Sequence, residues 1–212
     1  MSNQQLIVFV KNLIPGTVKT RLADEIGTDL ALEVYKNLVM HTSDVTDKLK
    51  MDRAIYYSEY VELYDFFDDE VYSKHIQEGD DLGQRMLNAF FDGIEDGYEK
   101  VVLVGSDVPG LSQKIIQDAF VQLDDHDVVI GPAEDGGYYL IGMKNAHKQL
   151  FEGMEYSNPN VFQELVSAVE SSGMKYATTE TLIDLDTKED MKKAGIEIVY
   201  EEGDDTGEEF DL

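Results

Sequence analysis

The chain has 212 residues, 42% of them hydrophobic, which suits one globular unit with a sizeable core rather than a disordered polymer. Its formal net charge of -27 repels polyphosphate backbones and anionic bilayers, which argues against nucleic acid or a membrane surface as partner. It has no cysteine, hence no disulfide framework and no thiolate chemistry, and a cytoplasmic protein is expected.

In chain order, the first element is an apolar run, Leu6 to Val10, that reads as a buried strand. It is too short and too near the start for a signal peptide, and no run approaches the roughly 18 apolar residues that span a bilayer. A loop with Pro15-Gly16 follows, then a helical pattern from Thr28 to Leu49 with Leu30, Val34, Leu38 and Val45 on one stripe. Ala54 to Tyr57 and Val71 to Ile76 are shorter strands. Gly83 to Ile94 reads as a helix whose apolar face is Met86, Leu87, Phe90, Phe91 and Ile94.

Val101 to Val104 is the clearest buried strand, and it stops abruptly at Gly105-Ser106-Asp107-Val108-Pro109-Gly110. Ser112 then caps a helix carrying Ile115, Ile116, Ala119 and Leu123. Val128 to Ile130 is a further buried strand, Tyr138 to Met143 another, open to antiparallel pairing, and Val161 to Val169 is helical. Alternating strands and helices mean an α/β architecture with a mostly parallel sheet. From about Gly203 glycine and acids predominate, so residues 201–212 are expected to form an acidic tail without fixed structure.

Ligands of such sheets sit beyond the carboxyl ends of the strands, which places Asp107 where a divalent cation holding phosphate oxygens could be bound. On its own segment the residue serves equally well as a turn cap. Lys11 to Leu22 also leaves a strand end. Residues 1–23 contain no acid, and Lys19, Thr20 and Arg21 offer a point charge, a hydroxyl and a guanidinium fork within three positions. It is not a Walker loop. Arg85 follows Gly79-Asp80-Asp81-Leu82-Gly83 at a helix start, where an ordinary cap explains it fully.

Gly131 to Gly142 supplies Asp135, the adjacent Gly136 and Gly137, and Tyr138. Glycines permit close backbone approach to a ligand, although a hairpin connection uses the same residues. In Leu182-Ile183-Asp184-Leu185-Asp186-Thr187, alternation puts Asp184 and Asp186 on one side of an extended segment, where both could face one cation. Equally, Asp186 or Thr187 caps the helix that follows. His41, His75, His126 and His147 show no ligand spacing, and no serine lies in a nucleophile elbow.

These ordered motifs between Leu6 and Met191, from Pro15-Gly16-Thr17-Val18-Lys19-Thr20-Arg21-Leu22 through Gly79 to Met86, Gly105 to Leu111, Asp135 to Gly142 and Asp184 to Asp190, resemble the bacterial DUF2064 proteins. That family is described as radical-SAM/selenodomain-associated transferases within the GT-A, or nucleotide-diphospho-sugar transferase, superfamily. The resemblance implies a Rossmann-like GT-A fold over residues 1–200, a mostly parallel central sheet with helices on both faces in a single domain. It further implies an enzyme whose Lys19 and Arg21 meet donor phosphates, helped by Pro15, Gly16 and Arg85. Asp107 would hold Mg²⁺ or Mn²⁺ with Asp186 as a second acid, while Asp135, Gly136, Gly137 and Tyr138 would shape the acceptor side. Lys19, Arg21, Asp107 and Asp135 are thus the catalytic candidates.

The leading expectation is group transfer from a nucleotide-activated sugar to a small acceptor. One departure keeps a second reading open. Glycosyltransferases of this fold usually present Asp-x-Asp on the metal strand, whereas Gly105-Ser106-Asp107 offers one acid. Guanylyltransferases and cytidylyltransferases of the same fold share the Lys-x-Arg-Leu loop, the single strand-end acid and a late Asp-x-Asp-Thr. The alternative is therefore transfer of a nucleoside monophosphate from a triphosphate to a phosphorylated or acidic acceptor, and a third reading is nucleotide binding without turnover.

Overall fold

The computed structural model describes residues 3–156, 158–199 and 209–211. Its first half runs β1 (Gln4–Val10), α1 (Thr20–Ile26), α2 (Thr28–Thr46), β2 (Asp52–Tyr57), β3 (Tyr72–Ile76), α3 (Leu82–Glu95) and β4 (Lys100–Gly105). Its second half runs α4 (Gln113–Gln122), β5 (Val128–Pro132), β6 (Tyr138–Met143), α5 (Val161–Ser171), β7 (Tyr176–Thr178), α6 (Lys188–Lys193), β8 (Glu197–Val199) and β9 (Glu209–Asp211).

Seven strands form one sheet in the order β3-β2-β1-β4-β6-β5-β7. All neighbours are parallel except β6, which runs antiparallel to both β4 and β5. The reason is the connection. Residues 133–137 are too few for the crossover that a parallel return from β5 would need.

Both faces of the sheet are covered. On one, Leu6, Val8, Val102 and Val104 pack against Tyr35 and Val39 of α2 and Ile115 and Ile116 of α4. On the other, Ile7, Val101 and Leu103 meet Met86 and Phe90 of α3 and Leu165 of α5. Alternate residues of β1 and β4 thus serve opposite layers, which is why those strands read as continuous apolar runs. Each fully buried aliphatic side chain contributes about 1.5–3 kcal/mol to that assembly.

A third apolar cluster joins α1, α2 and α6 through Leu22, Val34, Leu38, Leu185 and Met191. It seats the segments on either side of the cleft described below. Among the described residues, no helix is long and apolar enough to cross a membrane.

Several elements differ from expectation. The loop read through Leu22 becomes α1 from Thr20; with Leu22 as its one fully buried residue, α1 is too short to show an apolar period. Phe91, assigned to the buried face of α3, is exposed, because the apolar stripe of that helix turns past it to Met86, Leu87 and Phe90. The three-residue strand β7 was not foreseen. Of the expected tail, 201–208 and 212 lie outside the described residues, and Glu209–Asp211 pairs antiparallel with β8.

Candidate active site

The order of the sheet reverses between β1 and β4, because the chain moves from β1 outward to β2 and β3 before returning to β4 on the other side of β1. The loops after β1 and β4 therefore diverge and leave a crevice, the usual ligand position of a doubly wound sheet. A cleft of about 290 Å³ opens there, lined among others by Lys11, Tyr35, Gln77, Ser106, Asp107 and Asp186.

Three carboxylates and one ammonium meet at this point. The segment after β7 follows the edge of β5, with Leu182 N–H donating to Pro132 O at 3.1 Å, and then crosses to β4, where Leu185 N–H donates to Asp107 O at 3.2 Å. Leu185 is fully buried in the cluster beneath α1 and α6. Alternation then turns Asp184 and Asp186 the other way, toward Asp107. One oxygen from each of the three lies within 4.8 Å of the others. The cap question is settled by Thr187, which shares a reciprocal capping box with Asp190 at the start of α6.

Lys19 sits among these acids. Its Nζ is 2.9 Å from Asp107, 2.9 Å from Asp186 and 3.4 Å from Asp184. The residue is buried and takes φ 46°, ψ 46°, the left-handed region, at a cost of about 1–2 kcal/mol for a side chain with Cβ. No other non-glycine among the described residues has positive φ. Backbone strain is thus retained at the residue that delivers the ammonium to the acids.

The electrostatics follow from this crowding. Burial alone would lower the Lys19 pKa, but Asp107, Asp184 and Asp186 more than reverse it and hold it above the ordinary lysine value. Burial raises Asp107, yet the Lys19 ammonium outweighs it and keeps the acid below the usual carboxylate range. Asp184 is pushed up to about 7, first by burial and then by the charge of Asp107, with Lys19 opposing. Three acids against one lysine leave a net negative, half-buried cluster of hard oxygen donors, which fits a divalent cation of the Mg²⁺ or Mn²⁺ type.

Tyr35 holds the crevice together from below. Its hydroxyl accepts Lys11 N–H at 2.8 Å and lies 2.9 Å from Ser106 Oγ, so one phenol on α2 ties the end of β1 to the end of β4. Burial, then the Asp107 charge, pushes its pKa above that of a free phenol. The two hydroxyls share one hydrogen bond in addition to the one the phenol accepts from Lys11.

The other expected residues divide. Arg21 is largely exposed with a guanidinium nitrogen 3.5 Å from Asp186, at the rim of the cluster. Pro15 and Gly16 form an exposed turn, Gly16 at φ +78°. Arg85 is not among the cleft residues; its Nε donates to Gly79 O at 3.2 Å and secures the approach to α3. Asp135 is exposed and accepts Gly137 N–H at 2.9 Å, and its charge is felt by Asp184. Gly136 packs on the backbone of Pro159, where a Cβ would stand 1.9 Å from the carbonyl oxygen, so its glycine is explained by packing. Tyr138 lines the cleft with its ring set edge-on to Tyr156.

Sequence reasoning did not single out Tyr35, Ser106 or Gln77. Tyr35 reads as one more apolar position of an amphipathic helix, Ser106 stands in the strand-end motif only as the neighbour of Asp107, and Gln77 lies outside every motif. Asp184 was visible through its alternation with Asp186.

Comparison with known proteins agrees with this architecture. A solved structure from Desulfovibrio desulfuricans G20, provisionally described as a nucleotide-diphospho-sugar transferase, matches with a TM-score of 0.82 and 32% identity, covering 88% of this chain and 84% of that one. A 2-phospho-L-lactate guanylyltransferase of Methanocaldococcus sp. (strain FS406-22) is 26% identical over 185 residues, 86% of this chain and 79% of the relative. The 4-diphosphocytidyl-2C-methyl-D-erythritol synthase of Anaerococcus prevotii DSM 20548 shares the fold alone, with a TM-score of 0.54 and 11% identity over 91% of this chain and 94% of that one. Fold and relatives define a transferase of the GT-A, nucleotide-diphospho-sugar transferase type. The chain belongs to the DUF2064 family, described as uncharacterized protein conserved in bacteria, which it matches over residues 42–158.

Proposed function

We propose that this chain is a metal-dependent nucleotidyltransferase that moves a guanylyl group from GTP to a small phosphorylated or carboxylate acceptor. The observation that carries the reading is the cluster itself: one acid at the end of β4 completed by Asp184 and Asp186 from a distant segment, in place of an Asp-x-Asp pair on the strand. The guanylyltransferase relatives support nucleotidyl transfer over the glycosyl transfer that led the sequence reading.

In the proposed reaction an ionised acceptor oxygen forms a bond to the α-phosphorus of GTP while the bond from that phosphorus to the bridging oxygen breaks. The electron pair departs with pyrophosphate. Such an acceptor is already deprotonated near neutral pH, so the step requires no general base. Positioning and charge neutralisation are the protein's share.

Asp107, Asp184 and Asp186 are the residues that would hold the cation. Mg²⁺ or Mn²⁺, when bound, supplies the charge that lets phosphates approach three carboxylates. Lys19 and Arg21 bind phosphate oxygens, one as a point charge and the other as a fork from the exposed rim. Asp135, Gly137 and Tyr138 border the acceptor side, with Gly136 fixing their loop. Residues 1–200 act as one catalytic unit.

Incubation with GTP, Mg²⁺ and a panel of small phosphorylated and hydroxy acids tests the proposal. Release of pyrophosphate with a guanylylated product is expected. Release of nucleoside diphosphate from a nucleotide sugar, without pyrophosphate from GTP, would replace it by glycosyl transfer.

A further inference from the structure

Gln77 follows β3 directly and is only 9% exposed, yet it lines the cleft. Its side-chain amide reaches back over the sheet. Nε2 donates to Tyr56 O at 2.9 Å and to Val10 O at 3.3 Å, while Gln77 N–H donates to Tyr57 O at 2.8 Å. These bonds decide which way round the amide lies, because the reverse orientation would set Oε1 against two carbonyl oxygens.

The consequence is an acceptor fixed in place. Both amide hydrogens are engaged, and among the described residues no donor reaches Oε1. A half-satisfied carboxamide held this firmly selects a ligand that brings a hydrogen. The cleft beside it has an apolar side suited to a flat ring, including Phe9, Leu82 and Met86, and Leu82 is 44% exposed with the cleft as its neighbour.

We infer that Gln77 is a specificity-determining residue: its Oε1 accepts from the N–H edge of the guanine base, with the ring against the Leu82 side of the cleft. This rests on the nucleotidyl reading above and adds to it the residue that reads the base. Guanine matches because it presents N1–H and an exocyclic N2 amino group side by side. A ribose hydroxyl could offer a donor too, and the test separates the two.

The experiment measures Mn²⁺-dependent binding of GTP and of inorganic tripolyphosphate to the wild type and to Gln77→Met by calorimetry. Val10 O keeps its bond from Ser58 N–H at 3.0 Å, so the end of β1 remains paired in the variant. GTP should bind the variant about five- to tenfold more weakly, the loss of one hydrogen bond, with tripolyphosphate unchanged. Structural damage would weaken both probes alike and would overturn the assignment.

Analogues then locate the partner on the nucleotide. The difference between wild type and variant should vanish with ITP, which lacks the 2-amino group, or with N1-methyl-GTP, and should persist with 2′-deoxy- and 3′-deoxy-GTP. If it vanishes with a deoxy analogue instead, Gln77 reads the ribose and the base assignment is wrong. Equal GTP affinity of wild type and variant overturns the inference while leaving guanylyl transfer intact. If no nucleoside triphosphate binds the wild type while tripolyphosphate does, the nucleotidyl reading fails and Gln77 with it.

Discussion

The Lys19 ammonium stands 2.9 Å from a carboxylate oxygen of Asp107 and pairs with the same three acids that would hold a cation. Lysine and metal are therefore competitors for one negative cluster in the nucleotide-free protein, and partners once phosphates arrive. Replacing Lys19 with methionine should tighten binding of Mn²⁺ alone by about tenfold or more, since an opposing charge at contact distance is removed. It should weaken Mn²⁺-GTP binding. Titration followed by electron paramagnetic resonance reads the first effect, and unchanged or weaker Mn²⁺ binding would show that the ammonium does not occupy the cation's place.

Asp107 contributes the acid at the end of β4, so Asp107→Asn should abolish the metal dependence of nucleotide binding. At GTP concentrations near one hundred times the dissociation constant, ligand linkage stabilises a protein by about 2.7 kcal/mol. That thermal shift, present with Mg²⁺ and absent with chelator in the wild type, should be near zero in the variant under both conditions. A variant that retains the full metal-dependent shift would remove Asp107 from the site.

Asp184 makes the metal-free protein sensitive to pH in a definite direction. Its pKa is about 7 in the folded chain, against about 3.9 for a free aspartate, so between these values the unfolded chain has lost a proton that the folded one keeps. Stability contributed by this group accordingly falls as pH rises through that window and levels off above it. Asp184→Asn removes the fall. In chelator, urea unfolding should find the variant roughly 1–3 kcal/mol more stable than wild type at pH 8 and the gap closing toward pH 4. Parallel curves for the two proteins would contradict this account.

Tyr35→Phe keeps the ring in its layer but removes the hydroxyl between Lys11 and Ser106. A part-buried N–H then loses its protein partner, at a cost of about 1 kcal/mol. Because Ser106 shares the same bond, adding Ser106→Ala to the variant should cost less than the sum of the two separate changes. Additive losses in chemical denaturation would mean that the phenol and the serine do not act together.

Much of the architecture could be read from local pattern. The unbroken apolar runs of β1 and β4 announced strands buried on two faces, and the stripes of α2 through α5 announced the layers that cover them. Tyr138 to Met143 reads as a strand open to antiparallel pairing, and β6 is antiparallel to both its neighbours. Short or irregular elements were not legible: α1 has too few turns for a period to emerge, and β7 is held by pairing with β5 rather than by its own three residues.

For the candidate site the division falls between chemistry and aim. Sequence alone determined that acids and bases of the right kinds lie at strand ends, because a hydrophobic run that stops at Asp107 or at Lys11 places them there whatever the rest of the chain does. Tertiary structure decided which of them meet. Lys19 turned inward to three carboxylates because Val18 and Leu22 anchor the strained residue between them, whereas Arg85 remained with its own helix and Gly136 with Pro159. Gln77 acquired its fixed acceptor only because two carbonyls from neighbouring strands claim its amide hydrogens. Such bonds join residues up to 67 positions apart, and side-chain direction across that distance is set by packing, which no local pattern records.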